Sequence, residues 1–151
     1  MSLDDLYKEV ILDHYQHPRN RGHLTDPDVA TRGHNPLCGD EVLLAVKMDG
    51  DVIQDIAFGG RGCSISQASA SMMTESVKGH PVTDASALAG GFKDLMSGNG
   101  SAEGLAGNED LEALQGVKKF PVRVKCALLP WTALLEIIQT WEHAPGHAAK
   151  G

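Results

Sequence analysis

A chain of 151 residues suits one domain with one core, and at 42% hydrophobic residues it can bury that core without covalent staples. A net charge of −7 counts against a nucleic-acid binder, which needs a basic face for the phosphate backbone. No apolar run approaches the length of a membrane span, and three cysteines, an odd number, cannot all close into disulfides.

The N-terminus, "MSLDDLYKEV", is charged and amphipathic rather than secretory. It therefore predicts a reduced, cytoplasmic protein whose cysteines are free thiols or metal ligands. Ser2 with Asp5 three residues on resembles a capping box, and Leu3, Leu6, Val10 and His14 share one helical face beside Tyr7 and Ile11. Pro18 ends that helix near His17. The polar stretch "RNRGHLTDPDVATRGHNP" reads as one long loop. "EVLLAVKMDGDVIQDIAFGG" reads as a hairpin turning at Asp49-Gly50. Val42, Leu44, Val46 and Met48 supply the inner face of its first strand, and Val52, Ile56 and Phe58 one face of the return.

A helix is predicted from about Ile65 to Lys78, closed by Gly79, with small residues from Ser66 to Ser71 that let another element pack closely. A second short helix covers Pro81 to Leu88. "GGFKDLMSGNGSAEGLAG" is glycine-rich and reads as a mobile excursion. A helix follows from Glu109 to about Gly116, then an extended "FPVRVK". Pro130 is acceptable only in a first turn, so the last helix should start close to Cys126. Its inner face is Leu128, Trp131, Leu135 and Ile138. One domain over 1–143 with a flexible tail over 144–151 is the expected organisation.

Cys38, Cys63 and Cys126 each sit at a junction between elements in this reading, beside glycine, a charge or a helix start. Buried structural cysteines belong inside strands and helices, so a shared metal is a better account than three small hydrophobes. Three thiolates with Asp40 as fourth donor give a tetrahedral set, the geometry of zinc, with Gly39 letting the backbone turn between Cys38 and Asp40. Asp40 capping its own turn is the local alternative. Three thiolates and a carboxylate around a divalent ion are net anionic. A cationic neighbour is expected, and Arg123 is the candidate, ahead of Lys118 and Lys119, which read as a solvated face. The seven histidines show no ligand spacing and read as surface or helix-end residues, His34 being a minor candidate. No Ser-His-Asp elbow, phosphate loop or dinucleotide fingerprint occurs.

"NPLCGDE", "GGRGCSISQASASMMTE" and "VRVKCALLPW", with the N-terminal "LYKEVILDHYQHPRN", resemble in order the motifs of the U-type iron–sulfur assembly proteins, from about Leu3 to Trp141. Scaffold-type members carry histidine before the third cysteine, where this chain has Lys125. They also carry a Leu-Pro-Pro-Val-Lys stretch for a dedicated chaperone, where this chain has "KKFPVRVK". With the extra segment around Phe92 to Gly107, these departures are similar to the SufU branch. That resemblance implies an α+β fold of SufE/NifU type, a small antiparallel β-sheet with helices packed against it. It implies Zn2+ held by Cys38, Asp40, Cys63 and Cys126, with Arg123 as the charged neighbour. The implied activity is that of a sulfurtransferase whose Cys38 accepts persulfide sulfur from a SufS-type cysteine desulfurase, with an iron–sulfur scaffold as a further partner downstream. The alternatives are a scaffold that builds a [2Fe–2S] cluster on the same ligands, and a purely structural zinc module.

Overall fold

In the computed structural model, which describes residues 3–35, 39–98 and 109–143, strand β2 (Asp40–Asp49) has the expected alternation. Val42, Leu44, Val46 and Met48 are buried and the residues between them turn to the other face. β2 pairs antiparallel with β3 (Val52–Arg61). The turn is one residue later than the Asp-Gly signal places it: Asp49 still pairs with Val52, and the loop is Gly50–Asp51, with Gly50 at φ +61°. The return strand also differs. Met48 pairs with Ile53 and Lys47 with Asp55, so Gln54 is an extra residue. Such a bulge shifts which side chains face inward. Ile53, not Val52, joins Ile56 and Phe58 in the core.

The stretch expected to be one long loop contains a strand in its second half. β1 (Val29–Asn35) pairs antiparallel with β2, from Val29 opposite Val46 to Asn35 opposite Asp40, giving a sheet of order β1-β2-β3. Its sequence, "VATRGHN", has too little apolar alternation to announce a strand, and the open edge of β2 decides its conformation.

Helices cover one face of the sheet: α1 (Leu3–Gln16), α2 (Ser64–Val77), α3 (Val82–Met96), α4 (Glu109–Ala113) with a 3₁₀ turn over Leu114–Lys119, and α5 (Pro121–Glu142). α3 runs past the expected Leu88. Burial of Ala89, Phe92, Leu95 and Met96 outweighs the poor helix propensity of Gly90 and Gly91. Of the predicted excursion, residues 99–107 lie outside the described residues, as do Ser2, Cys38 and the tail 144–151.

The largest departure is α5. "FPVRVK" is not extended: Pro121 opens the helix, and Pro130 lies well inside it. An internal proline costs about 3 kcal/mol through its missing N–H and its clash with the preceding turn. α5 tolerates it because it is buried on two sides, against β1 and β2 and against α2 and α3. Trp131, fully buried beside the proline, stacks on Phe92 of α3 with ring centroids 4.9 Å apart. Burying side chains of that size is worth about 1.5–3 kcal/mol each. Among the described residues, no helix is long and apolar enough to cross a membrane.

His14, read from the sequence on the apolar face of the first helix, goes deeper than a helix-end residue needs to. It is fully buried in the last turn of α1. Its Nδ1 lies 2.8 Å from Ser71 Oγ of α2, and its Nε2 lies 2.7 Å from Asp110 Oδ2 of α4. Ser71 Oγ also accepts the Arg19 N–H at 2.8 Å. One imidazole therefore ties three helices together. His14→Ala should lower unfolding free energy by about 2–4 kcal/mol, since it removes both hydrogen bonds of a fully buried ring and opens a cavity between the helices. Urea denaturation measures this. A loss below about 0.5 kcal/mol, the size of an ordinary surface substitution, would show that the tie contributes little.

Candidate metal centre

Asp40 is the first residue of β2, on the inward side of the sheet, and is only 2% exposed. Its Oδ1 accepts the Cys63 backbone N–H at 2.9 Å. Cys63 is the N-cap of α2, with extended backbone and no cap bond from its own side chain. The carboxylate of another element thus fills the capping role, placing a negative group at the positive end of the helix. The Cys63 thiol lies 3.5 Å from Asp40 Oδ2, and Ser66 Oγ donates to the Cys63 carbonyl at 3.1 Å.

Two glycines make this arrangement possible. Gly39 has φ +73°, a region that disfavours side chains, and its N–H donates to the Asn35 carbonyl at 2.8 Å, closing the β1–β2 connection. Gly62 is needed for space: a Cβ there would stand 2.5 Å from Ser66 Oγ and 2.7 Å from Asp40 Oδ1.

Cys126 comes from a different place than expected. It lies in the second turn of α5 rather than ahead of a helix, and it is fully buried, its Sγ 3.7 Å from the Val122 carbonyl. Cys63 is a half-buried thiol and Cys126 a buried one. One carboxylate oxygen of Asp40 and the two sulfurs all lie within 4.8 Å of one another. The donor set suits zinc. Bonds of about 2.3 Å to sulfur and 2.0–2.2 Å to oxygen at tetrahedral angles separate sulfur from oxygen by about 3.6 Å, and the Asp40–Cys63 separation is 3.5 Å. Cys38, outside the described residues, is separated from Asp40 only by Gly39.

Arg123 is exposed in the first turn of α5, one turn before Cys126. Lys125 is exposed and lines a groove with His34, Asn35 and Lys93. His34 is exposed and is not among the donors that converge with Asp40, Cys63 and Cys126. Glu41, beside Asp40, turns to the other face and pairs with Arg32 at 3.0 Å, a hydrogen bond that holds its carboxyl below the usual range. Sequence reasoning missed Gly62 and Ser66. Only the pattern of a glycine just before a cysteine at a helix start pointed to them.

Residues 6–127 match the family model of the NifU-like N terminal domain. The chain belongs to this family. The NifU-like chain is 50% identical over 133 residues to a protein of Bacillus subtilis (strain 168) named zinc-dependent sulfurtransferase SufU, with 88% of this chain and 89% of the relative covered. It is 46% identical to the iron–sulfur cluster assembly scaffold protein IscU of Streptococcus pyogenes serotype M1, covering 91% and 85%. The crystal structure of a SufU protein from Fervidobacterium islandicum AW-1 superposes with a TM-score of 0.81 at 34% identity, over 86% of this chain and 94% of that one. The resemblance read from the four motifs and the α+β fold it implied are both borne out.

For this NifU-like site, Gly62→Ala should push the Asp40 carboxylate off the α2 N-terminus and cost about 1–3 kcal/mol, the range for overpacking a filled site. Gly59→Ala, whose added Cβ would approach nothing closer than Leu43 at 4.0 Å, is the control. Thermal melts should separate the two variants, and equal melting temperatures would show that Asp40 has room to move.

Proposed function

We propose that this chain is a zinc-dependent sulfurtransferase that accepts persulfide sulfur on Cys38 from a SufS-type cysteine desulfurase and supplies it to iron–sulfur cluster assembly. The observation that carries this reading is the convergence of Asp40, Cys63 and Cys126 from a strand and two helices, in a chain half identical to a zinc-dependent sulfurtransferase. Cys38 completes four donors. When bound, zinc keeps such thiols deprotonated at neutral pH and brings no redox chemistry of its own.

The chemistry of the residues is thiol exchange. The Cys38 thiolate attacks the outer sulfur of the desulfurase persulfide. A new S–S bond forms on Cys38, the donor's S–S bond breaks, and the donor cysteine leaves as thiolate. The electrons balance without an outside oxidant. Cys38 suits the nucleophile because it lies in the connection beside Gly39. Cys63 at the α2 start and Cys126 within α5 are fixed by their helices. Arg123, one turn from Cys126, supplies a cation to an anionic centre and to a carboxylate of the partner.

The surface around the site supports a protein partner. Of the large hydrophobic side chains that stay exposed, Leu12 and Tyr15 of α1 line a groove with Ser64 and Ile65 at the start of α2. Phe120 and Val122 stand just before and in the first turn of α5. Exposed apolar residues grouped around a reactive site mark a docking surface. The cysteine chemistry fits a reduced, cytoplasmic setting. A downstream iron–sulfur scaffold is the proposed recipient.

The relative named as a scaffold favours a second reading, in which the same residues hold a [2Fe–2S] cluster as cargo. Lys125, in place of the histidine of scaffold-type members, weighs against it. A purely structural zinc module is the third, and the half-buried Cys63 weighs against a closed site.

The protein purified without added metal should carry about one zinc per chain, as one four-ligand site requires. Cys63→Ser and Cys126→Ser should lose that zinc and melt earlier, because metal binding is coupled to folding. Full zinc retention in both would remove the site. Asp40→Ala should weaken metal binding and impair transfer.

Cys38→Ser should abolish stimulation of desulfurase turnover, read as alanine release, even where some zinc remains. Arg123→Ala should keep the metal and weaken the productive complex. Stimulation that survives in Cys38→Ser, with the added sulfur found by mass spectrometry on Cys63 or Cys126, would transfer the acceptor role to that residue. A protein that stimulates no desulfurase yet holds a stable [2Fe–2S] cluster would make the scaffold reading correct.

A further inference from the structure

Two donors of the metal centre ride on different helices, Cys63 at the start of α2 and Cys126 in the second turn of α5. Their sulfurs can share an ion only if those helices meet at a fixed spacing. One serine marks the meeting point. Ser69 is fully buried in α2. Its hydroxyl donates to the Ala127 carbonyl at 2.6 Å, and its Oγ accepts the Trp131 indole N–H at 3.0 Å. Ala127 follows Cys126 directly and Trp131 lies about one turn further on, so both bonds grip α5 next to the thiol. They act where the helix ladder is weakened, because Pro130 has no N–H to contribute. The other side of Trp131 is held by Phe92. On the α2 side, Ser69 lies six residues beyond Cys63, about 9 Å along a rigid helix.

We infer that Ser69, together with Trp131, is a positioning residue for the metal centre. Its two hydrogen bonds set α5 against α2 at the spacing that presents the sulfurs of Cys63 and Cys126 to one ion. The inference rests on the zinc-site reading above. Neither residue donates to the metal; both act through the helix that carries Cys126. Ser71 provides the comparison within the same helix. It is equally buried and also makes two hydrogen bonds, but these go to His14 and Arg19, on α1 and the turn that follows it. Either serine lost to alanine removes a buried hydroxyl from between two partners. Only Ser69 stands between the two helices that carry the sulfurs.

The test uses the full chain with zinc and, separately, Co2+ as probes. Zinc affinity is read by competition with a chromophoric chelator, and thiolate-to-cobalt charge transfer by absorption. The thermal stability of the metal-free protein is recorded alongside. Ser69→Ala should weaken zinc binding about tenfold or more, the usual effect of removing a residue that orients a ligand, and should shift the cobalt spectrum. Ser71→Ala should lower the stability of the metal-free protein comparably while keeping wild-type affinity and spectrum. Ser69→Thr, which retains the hydroxyl, should recover affinity. Trp131→Phe keeps the ring and drops only the N–H. It should give an intermediate affinity, and it decides the matter if Ser69→Ala does not fold. Equal zinc affinities in Ser69→Ala and Ser71→Ala, or wild-type affinity in Trp131→Phe, would overturn the positioning role while leaving the zinc site intact. A wild-type chain that binds no zinc would overturn the zinc reading, and this inference with it.

Discussion

The bond from the Cys63 amide to the Asp40 carboxylate joins the sheet to the helical layer at the point where the chemistry is placed. A carboxylate only 2% exposed needs strong partners. It finds one 2.9 Å away in the backbone N–H at the head of α2, where the helix dipole favours negative charge. The bond fixes where α2 starts relative to β2, and so where the Cys63 thiol stands. Gly62 is a consequence, since any side chain there would fill the space that the carboxylate occupies.

α5 completes the arrangement from the other side. It packs between the sheet and the helices α2 and α3, and it brings Cys126 to the same point from more than sixty residues further along the chain. No two of the described donors are neighbours in sequence, and each arrives on a separate element. Such a centre assembles only when the whole fold has assembled, unlike a finger whose paired cysteines form a site locally. Under the proposed function, the two helix-borne thiols hold the metal while Cys38 reacts. Leu12 and Tyr15 stay exposed beside the start of α2, and Phe120 and Val122 at the start of α5.

What the sequence made legible follows the strength of local signals. The β2–β3 hairpin and α2 were readable because alternation and small-residue patterning agree with the final packing. β1 was not, because "VATRGHN" carries few apolar residues and takes its form from the open edge of β2. The bulge at Gln54 was hidden for a similar reason: register is a property of two strands, and one strand alone pointed to Val52 instead of Ile53. α5 misled through Pro130, a local penalty that burial of Trp131 and its neighbours outweighs. The convergence of Asp40, Cys63 and Cys126 was legible, since three thiols and a nearby carboxylate suggest a shared metal. The tie between Asp40 and α2 was not, nor was the burial of His14 between Ser71 and Asp110. Both depend on contacts between residues more than twenty positions apart.

The central claim is that one ion is held by a mixed set of donors, the sulfurs of Cys38, Cys63 and Cys126 and the carboxylate of Asp40. X-ray absorption at the zinc edge of the purified protein tests it most directly. The account predicts three sulfur scatterers at about 2.3 Å and one oxygen at about 2.0–2.2 Å, with the oxygen shell altered in Asp40→Ala. A first shell with imidazole scattering, or with only two sulfurs, would contradict it.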